Sequence, residues 1–452
     1  VRPTRHPTFD LLPTPALLRV PLTLRSSVEP PPIRPIGTKV LAGERLVESV
    51  SQFDHWPLAP VAAEIRGTLQ VTLTSGRVVH GVELATIGAL PAGPERSDGT
   101  EVQVESEVVA APTEQSGDSP PPTPTTSTDI VPLPTAPSES DRGGWIDRLR
   151  DAGVWIDRWT SPNLLAQLHE SLRRPIDTVV CSVLDGDPNM PIGAAIASQK
   201  IEQLIAGVRL ITRLSGASKA VVVMQQRLLP DVVAAVKKAG GMTALEIVND
   251  YPQADPSILL ATLMKRKLRP GRLPSDQGVL LLDAVAAVAV GRVVVDQQPM
   301  LAAPIALYNH SRNTTHLALM PVGSSLDDLL EARQVATGGF VFRGGDVLRD
   351  RRIPREAIIG GGEIALHASP GPRSVNPDPC IRCGWCVEAC PSNIHPAGLL
   401  DSAQRRDPEA AEYYGIAACV ECGLCDYVCP SRLPILMGIR GMRTKGGKTK
   451  DE

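Results

Sequence analysis

Aromatic residues are scarce in this 452-residue chain, with five Trp, five Tyr and four Phe. Proline and glycine are plentiful, 43 and 38, so loops and turns make up much of it. Charge of either sign is not in excess: 46 Lys and Arg face 49 Asp and Glu, a formal net charge of −3. That balance excludes a global basic field that would recruit nucleic acid or anionic lipid. A long hydrophobic run is also missing. The most apolar stretch, Val279 to Val290, carries Asp283 and falls far short of the roughly 20 residues that cross a bilayer. Val1 to Asp10 holds Arg2 and Arg5 but no apolar segment, which argues against a secretory signal and for a cytoplasmic chain. Val1 is not Met, so a trimmed start stays open. The eight histidines are scattered, without a Ser/His/Asp arrangement or an H-E-x-x-H motif, and hydrolytic chemistry has no support. With 42% apolar residues the chain still buries sizeable cores, divided into two to four units.

Composition and periodicity divide the chain. Residues 1–90 read as a small β module, because runs such as Thr68 to Thr74 alternate and end at Ser75-Gly76. The module resembles the barrel-sandwich fold of lipoyl domains, but Val61 to Gly67 offers no carrier lysine, so a structural role is expected. Residues 91–140 hold ten Pro and nine acidic residues against Arg96 alone, an extended acidic linker. Residues 141–300 alternate helix and strand patterns, with Ile201, Leu204, Ile205, Val208 and Ile211 at helical spacing and Lys219 to Met224 a buried strand. Such repeats imply a parallel sheet with ligands at the carboxyl ends of its strands. Residues 301–370 form a further small domain, with a helix start at Ser324 to Glu331. Residues 371–440 are dominated by cysteine, and 441–452 form a basic tail with Lys445, Lys448 and Lys450. The tail is a solvated terminus by default, contact with an anionic membrane face or acidic partner being the alternative.

Eight of the nine cysteines repeat one pattern: Cys380, Cys383, Cys386 and Cys390-Pro391, then Cys419, Cys422, Cys425 and Cys429-Pro430. This is the spacing of a two-cluster bacterial ferredoxin, in which three close thiolates wrap one cluster and the fourth reaches the other. One 4Fe-4S cluster would take Cys380, Cys383, Cys386 and Cys429, the second Cys419, Cys422, Cys425 and Cys390. Gly384 and Gly423 stand at matching positions, where the backbone must come close to sulfide. Disulfides would be out of place in a reducing compartment, and zinc ribbons set their cysteine pairs apart. Cys181 reads as a small buried residue.

The chain resembles the RnfC component of the Rnf-type electron transport complex, a layout shared by the cobalamin reductase of propanediol microcompartments. The resemblance rests on the cysteine repeat, on Asn249 to Leu260 with its Tyr-Pro-Gln, on Leu273 to Val279, on Gly291 to Asp296 and on Pro321 to Leu326. It implies a multidomain α/β and β protein: a barrel-sandwich module, an α/β core like the NADH-binding subunit of complex I, a β-grasp-like small domain of the soluble-ligand-binding type and a dicluster ferredoxin domain. It also implies FMN and NADH in the core, where a Gly-Gly-Ala-x-Phe-Pro loop cradles the phosphate and a Glu-x-Glu-Pro motif follows a strand. Here the corresponding stretches are Gly143 to Pro162, keeping Gly143, Gly144 and Gly153 but crowded by Trp145, Trp155 and Trp159, and Asp185-Gly-Asp187-Pro. Gly143, Gly144, Asp185 and Asp187 are thus the candidates for a degenerate flavin site. The two aspartates also suit capping of a helix that begins near Met190. The repeated Trp-Ile-Asp-Arg is read as coincidence in an amphipathic helix, with Trp155 and Trp159 a docking stripe if exposed. The expected function is electron transfer within a membrane-associated complex, peripheral on its inner face. The partners are other subunits and a soluble electron donor or acceptor. The alternative is an FMN-containing NADH or cobalamin reductase.

Overall fold

A computed structural model describes residues 8–23, 29–50, 55–87, 130–154, 156–265, 268, 272–335, 337–346, 348–360, 362, 364–371 and 376–446. The linker up to residue 129, Trp155, and Lys448 and Lys450 of the tail lie outside the described residues. Among these, no helix is long and apolar enough to cross a membrane.

The chain opens on β1 (Asp10–Leu11), followed by β2 (Leu17–Pro21), β3 (Lys39–Val40), β4 (Ala63–Thr72) and β5 (Val78–Thr86). The last four form an antiparallel sheet in the order β2-β5-β4-β3. Leu18, Val20, Leu46, Ile65, Val82 and Leu84 make its separate core, and β4 shifts register between Ile65 and Gly67. β1 is not part of this module. It pairs in parallel with a strand near residue 318, where Asp10 meets Arg333 at 2.7 Å and Leu12 enters the main core. The residues before about Ala16 therefore belong structurally to a different unit from the rest of 1–90.

The core runs α1 (Arg142–Asp151), α2 (Leu164–Ser171), β6 (Thr178–Ser182), α3 (Ile192–Gln199), α4 (Ile201–Ser215), β7 (Lys219–Gln225), α5 (Pro230–Ala239), β8 (Thr243–Ile247), α6 (Pro256–Met264), β9 (Val279–Asp283) and α7 (Ala284–Val295). Its four strands are parallel, in the order β8-β7-β6-β9. All residues of β6 and β9 are buried because both faces are covered. Val179, Cys181, Leu280 and Leu282 face one apolar cluster, while Val180, Val279 and Leu281 face the other. On the first face α4 presents Leu204, Val208, Ile211 and Leu214 and stops at Gly216, whose left-handed conformation lets its N–H reach the carbonyl of Arg213. α4 meets α7 with backbone against backbone. A Cβ on Gly207 would collide with the Ala287 carbonyl, and one on Gly291 with the Gln203 carbonyl. The close fit holds the N-terminus of α7, and with it Asp283, at the end of β9.

The small domain contains β10 (Ala302–Asn309), β11 (Thr314–Pro321), α8 (Leu326–Ala332), β12 (Phe340–Gly344), β13 (Arg351–Ile353) and β14 (Ala365–Pro370). With β1 they form a mixed sheet in the order β1-β11-β10-β14-β12-β13. A reciprocal Ser325–Asp328 capping box starts α8. The last unit is helical: α9 (Trp385–Glu388), α10 (Pro396–Arg405), α11 (Pro408–Tyr413), α12 (Leu424–Tyr427) and α13 (Ile435–Gly446). The whole is a multidomain α/β protein with an N-terminal β half-barrel, an α/β core and a cysteine-rich C-terminal domain.

Candidate metal centres and the strand-end cavity

The two cysteine runs fold as near repeats. Residues with positive φ recur at equivalent places: Arg382 (57°) and Glu421 (54°) before the second cysteine, Gly384 (84°) and Gly423 (78°) after it, Asn393 (53°) and Arg432 (54°) after the fourth. Each run thus coils tightly, and a short helix, α9 or α12, begins at each glycine. At 423 the glycine is required twice, since a side chain would also collide with the Leu348 carbonyl. One small apolar cavity is lined by Cys390, Cys419, Cys422 and Cys425, with Ile394, Leu436 and Ile439. It unites the fourth cysteine of the first run with three of the second. Cys380, Cys383 and Cys386 lie close enough to influence one another's charge. Among the described residues no three His, Cys, Asp or Glu side chains converge on a single ion. In a cluster each thiolate binds a different iron. The donor set is all sulfur, with Cys386, Cys422 and Cys425 buried, and fits 4Fe-4S clusters.

The two cysteine groups differ in surroundings. Cys380 and Cys383 are exposed beside exposed Ile381 and Trp385, whereas Cys422 and Cys425 are buried. Backbone N–H groups reach sulfur at Cys419 (from Glu421, 3.4 Å) and at Cys422 (from Leu424). The Tyr251 hydroxyl, from the core, donates to the Cys422 carbonyl at 2.5 Å. Burial works against ionisation of Glu421, but hydrogen bonds from Arg440 (2.8 Å) and Arg443 (3.0 Å) win and hold its carboxyl below the usual range. Arg443 also donates to the Cys419 carbonyl at 2.7 Å, and Arg440 to that of Arg349 at 2.7 Å.

The second candidate region lies at the carboxyl ends of β6 and β9, as expected for an open parallel sheet. Asp185 and Asp187 both line a cavity there, with Gly186, Arg158, Trp159, Asp283 and Asp346. Gly143 and Gly144 do not. They occupy the first turn of α1, where the Asp141 side chain caps the Gly144 N–H at 2.8 Å, so the sequence reading of this pair is corrected. The part of that stretch that reaches the cavity is Arg158 to Thr160, beyond the end of α1 at Asp151. Ile156 to Arg158 of the second Trp-Ile-Asp-Arg therefore lie outside the helix. Trp159 is no bare docking stripe either: its indole N–H donates to Asp255 at 2.7 Å and the Arg349 guanidinium lies 3.7 Å from its ring centre.

Arg158 fills the centre of the region. It is 7% exposed and grips Asp283, also 7%, through Nη2 at 2.6 and 2.8 Å and Nε at 3.2 Å. Thr160 donates to the same carboxylate at 2.8 Å, and Asp283 caps α7 through the Ala286 N–H at 2.8 Å. Asp185 accepts from the N–H groups of Gly193 and Ala194, at 2.6 and 3.2 Å, and so satisfies the start of α3. Burial pushes Asp185 up to about 7; the two N–H groups pull it back and the charges of Asp283 and Asp187 add to the rise. Asp187 is 2% exposed with Oδ2 lacking a hydrogen-bond partner, 3.9 Å from His367 Nε2. Burial lowers His367 to about 4, with Asp187 acting in the opposite sense. The imidazole is therefore neutral, bonded to the Gly345 carbonyl and to His310, each at 3.0 Å.

These residues do not fit a flavin phosphate. The cavity encloses about 50 Å3, against roughly 300–1,000 Å3 for a cofactor pocket. Asp185, Asp187 and Asp346 line it, and its one cation, Arg158, is already neutralised by Asp283. Sequence reasoning missed Arg158, Asp283 and Asp255, although two carried a signal. Asp283 ends an apolar strand run before Ala284, and Asp255-Pro256 is a helix-start pair.

Two family models match the chain: one described as the Nuo51 FMN-binding domain over residues 164–292, and one described as a 4Fe-4S dicluster domain over residues 379–433. The first match begins just after the Arg158 loop. The C component of the Na(+)-translocating ferredoxin:NAD(+) oxidoreductase complex of Acetobacterium woodii is 23% identical over 52% of this chain and 56% of that one. The proton-translocating counterpart of Clostridium ljungdahlii is 24% identical over 54% and 55%. The chain spans about half the length of these curated relatives. A crystal structure of NAD+-reducing [NiFe]-hydrogenase in the H2-reduced state overlays with a TM-score of 0.46 at 16% identity, covering 71% of this chain and 68% of that one, too weak a likeness to assign a fold.

Proposed function

We propose, from the distant homology of this chain to the C components of ion-translocating oxidoreductase complexes, that it is the electron-transfer subunit of a membrane-associated Rnf-like complex. Two 4Fe-4S clusters relay single electrons in it. Cys380, Cys383, Cys386 and Cys429 hold one; Cys419, Cys422, Cys425 and Cys390 hold the other. The observation that carries this reading is the single cavity lined by Cys390 with Cys419, Cys422 and Cys425. When bound, the clusters supply one-electron redox chemistry at potentials set by hydrogen bonds to sulfur and by solvent access. The chain's own residues provide both controls. Ile394, Leu436 and Ile439 keep water from the inner site, and the Glu421 N–H donates to Cys419. The outer site meets solvent beside Ile381 and Trp385, a face suited to a redox partner. The inner one is turned to the core through Tyr251. In this reading the core is a scaffold that holds no FMN, because Arg158 and Asp283 occupy the place and three carboxylates oppose a phosphate.

The FMN-binding match favours a second reading, an FMN-containing NADH or cobalamin reductase. Anaerobic purification with iron and flavin quantification on one sample separates the two. About eight irons per chain without flavin are expected. Stoichiometric flavin would overturn the scaffold reading. Cys390→Ser should remove the cluster held by Cys419, Cys422 and Cys425, halving the iron. Loss of the Cys380 cluster instead would refute crosswise ligation.

A further inference from the structure

The two cysteine runs repeat in backbone but not in charge. Glu421 stands where the first run has the exposed Arg382, and both are left-handed without being glycine. At the same distance past the fourth cysteine, Arg440 and Arg443 of α13 stand where α10 has Asp401 and Gln404. Asp401 pairs with Arg405 on its own helix at 3.1 Å. Arg440 and Arg443 turn instead to the cysteine loop, gripping the Glu421 carboxylate at 2.8 and 3.0 Å, with Arg351 of β13 at 3.7 Å. Through Nη2, Arg443 also donates to the carbonyls of Ile416 at 2.9 Å, Ala417 at 3.4 Å and Cys419 at 2.7 Å. One guanidinium fork thus holds the backbone at Cys419 and the side chain two residues further on.

That clamp bears on a strained residue. A left-handed conformation outside glycine persists only where its surroundings over-determine it. At Glu421 it aims the N–H at Cys419 Sγ, 3.4 Å away. Arg443 and Glu421 also lie close enough to Cys419 to act on its charge, in opposite senses. Other carboxylates add negative charge nearby: Asp426, whose Oδ1 accepts from the Leu436 N–H at 2.8 Å and lies 3.8 Å from Cys425 Sγ, and Asp255, which acts on the charge of Cys422. Asp350 is within charge range of Arg343 and Arg440, and Arg440 is further tied to the Arg349 carbonyl. Arg443 is bonded both to the cysteine backbone and to the residue whose N–H meets the sulfur.

We propose that Arg443 is a positioning residue that raises the reduction potential of the inner cluster, the one held by Cys419, Cys422, Cys425 and Cys390. The inference rests on the relay reading above and names the residue that sets its two ends apart. Reduction adds a negative charge, which a nearby guanidinium favours and burial among Ile394, Leu436 and Ile439 opposes. A hydrogen bond to sulfur acts in the same direction as the guanidinium. Removing Arg443 withdraws its charge, loosens the Glu421 N–H on Cys419 and leaves the Glu421 carboxylate with one partner fewer. All three changes lower the potential.

The test is a redox titration of the intact, anaerobically purified chain read by electron spin resonance, with iron counted on the same sample. Arg443→Gln installs the residue type that the first run carries at this place. At a fixed ambient potential the reduced-to-oxidised ratio of the inner cluster should fall about tenfold, a midpoint lowered by about 59 mV for a one-electron step. The midpoint of the Cys380 cluster and the iron content should stay at wild-type values. Arg443→Lys keeps the charge without the fork and should lower the midpoint less. Cys390→Ser, which empties the inner site, identifies its signal. An unmoved or raised inner midpoint, or an equal fall in both clusters, overturns the proposal. A lowered melting temperature with an unmoved midpoint does so too, because it makes Arg443 a structural clamp only. If Arg443→Gln loses the inner irons, the Arg443→Lys midpoint decides by the same criterion. A wild-type chain without two reducible clusters fails the relay reading itself, a result visible before any variant is made.

Discussion

Replacing Arg158 by Met leaves the Asp283 carboxylate in place with its strongest partner gone. Three charge-assisted contacts disappear, at 2.6, 2.8 and 3.2 Å, in a site where both residues are 7% exposed. The Thr160 hydroxyl and the Ala286 N–H remain on Asp283, so part of its charge is still met. Stranding one member of a buried ion pair costs about 3–5 kcal/mol, and the two surviving hydrogen bonds place this case at the lower end, about 3 kcal/mol. Asp283→Asn strands the arginine instead and weakens the cap of α7. The double variant, Arg158→Met with Asp283→Asn, leaves no uncompensated charge and keeps an oxygen for Ala286. Its loss should fall short of the summed single losses by about 2 kcal/mol. Equilibrium urea unfolding, read by far-ultraviolet circular dichroism under anaerobic conditions, measures all four proteins. Single losses that add to within about 0.5 kcal/mol would refute the claim that the pair fills and holds the strand-end cavity.

Two further perturbations test the same core. Gly207→Ala forces α4 off α7 and should cost about 1–3 kcal/mol, while Gly67→Ala, with nothing within 4 Å of the added Cβ, should be close to neutral by the same unfolding assay. Asp185 binds its proton more tightly folded, at about 7, than its ordinary value of 3.8. Its contribution is therefore complete below about pH 4 and is lost as pH rises toward 7. Asp185 is half-buried, which trims the linkage, so wild type should lose about 2 kcal/mol relative to Asp185→Asn between pH 4 and pH 8. Unfolding curves at the two pH values that moved the other way would rule this out.

Much of this architecture is legible in sequence because it rests on local patterns. The cysteine spacing carries the repeat of left-handed residues that turns each run inward. The apolar run Val279 to Leu282 reads as a buried strand because both faces of the sheet are covered. What sequence could not give is pairing across distance. Asp283 looks like a helix cap, which it is, but nothing local says that Arg158, 125 residues earlier, shares it. Gly143 and Gly144 were misleading for the opposite reason. A glycine pair suggests a phosphate loop, yet Asp141 three residues before Gly144 supplies the acceptor that makes the same pair a helix start. Trp159 likewise became half of an arginine stack only when Arg349 arrived from the small domain.

The parallel pairing of β1 with β11 has a consequence for how the molecule is made. Asp10 is opposite Ala318 in that ladder, so β1 leaves the ribosome and waits for a partner about three hundred residues behind it. At roughly 5–20 residues per second that interval is on the order of 15–60 s. Meanwhile the half-barrel built by β2 to β5 can close on its own core, and the parallel sheet from β6 to β9 can form after it. The small domain is thus sealed late, by a strand made long before its partner. A substitution that blocks the pairing of β1 would interfere with a late stage of assembly rather than an early one.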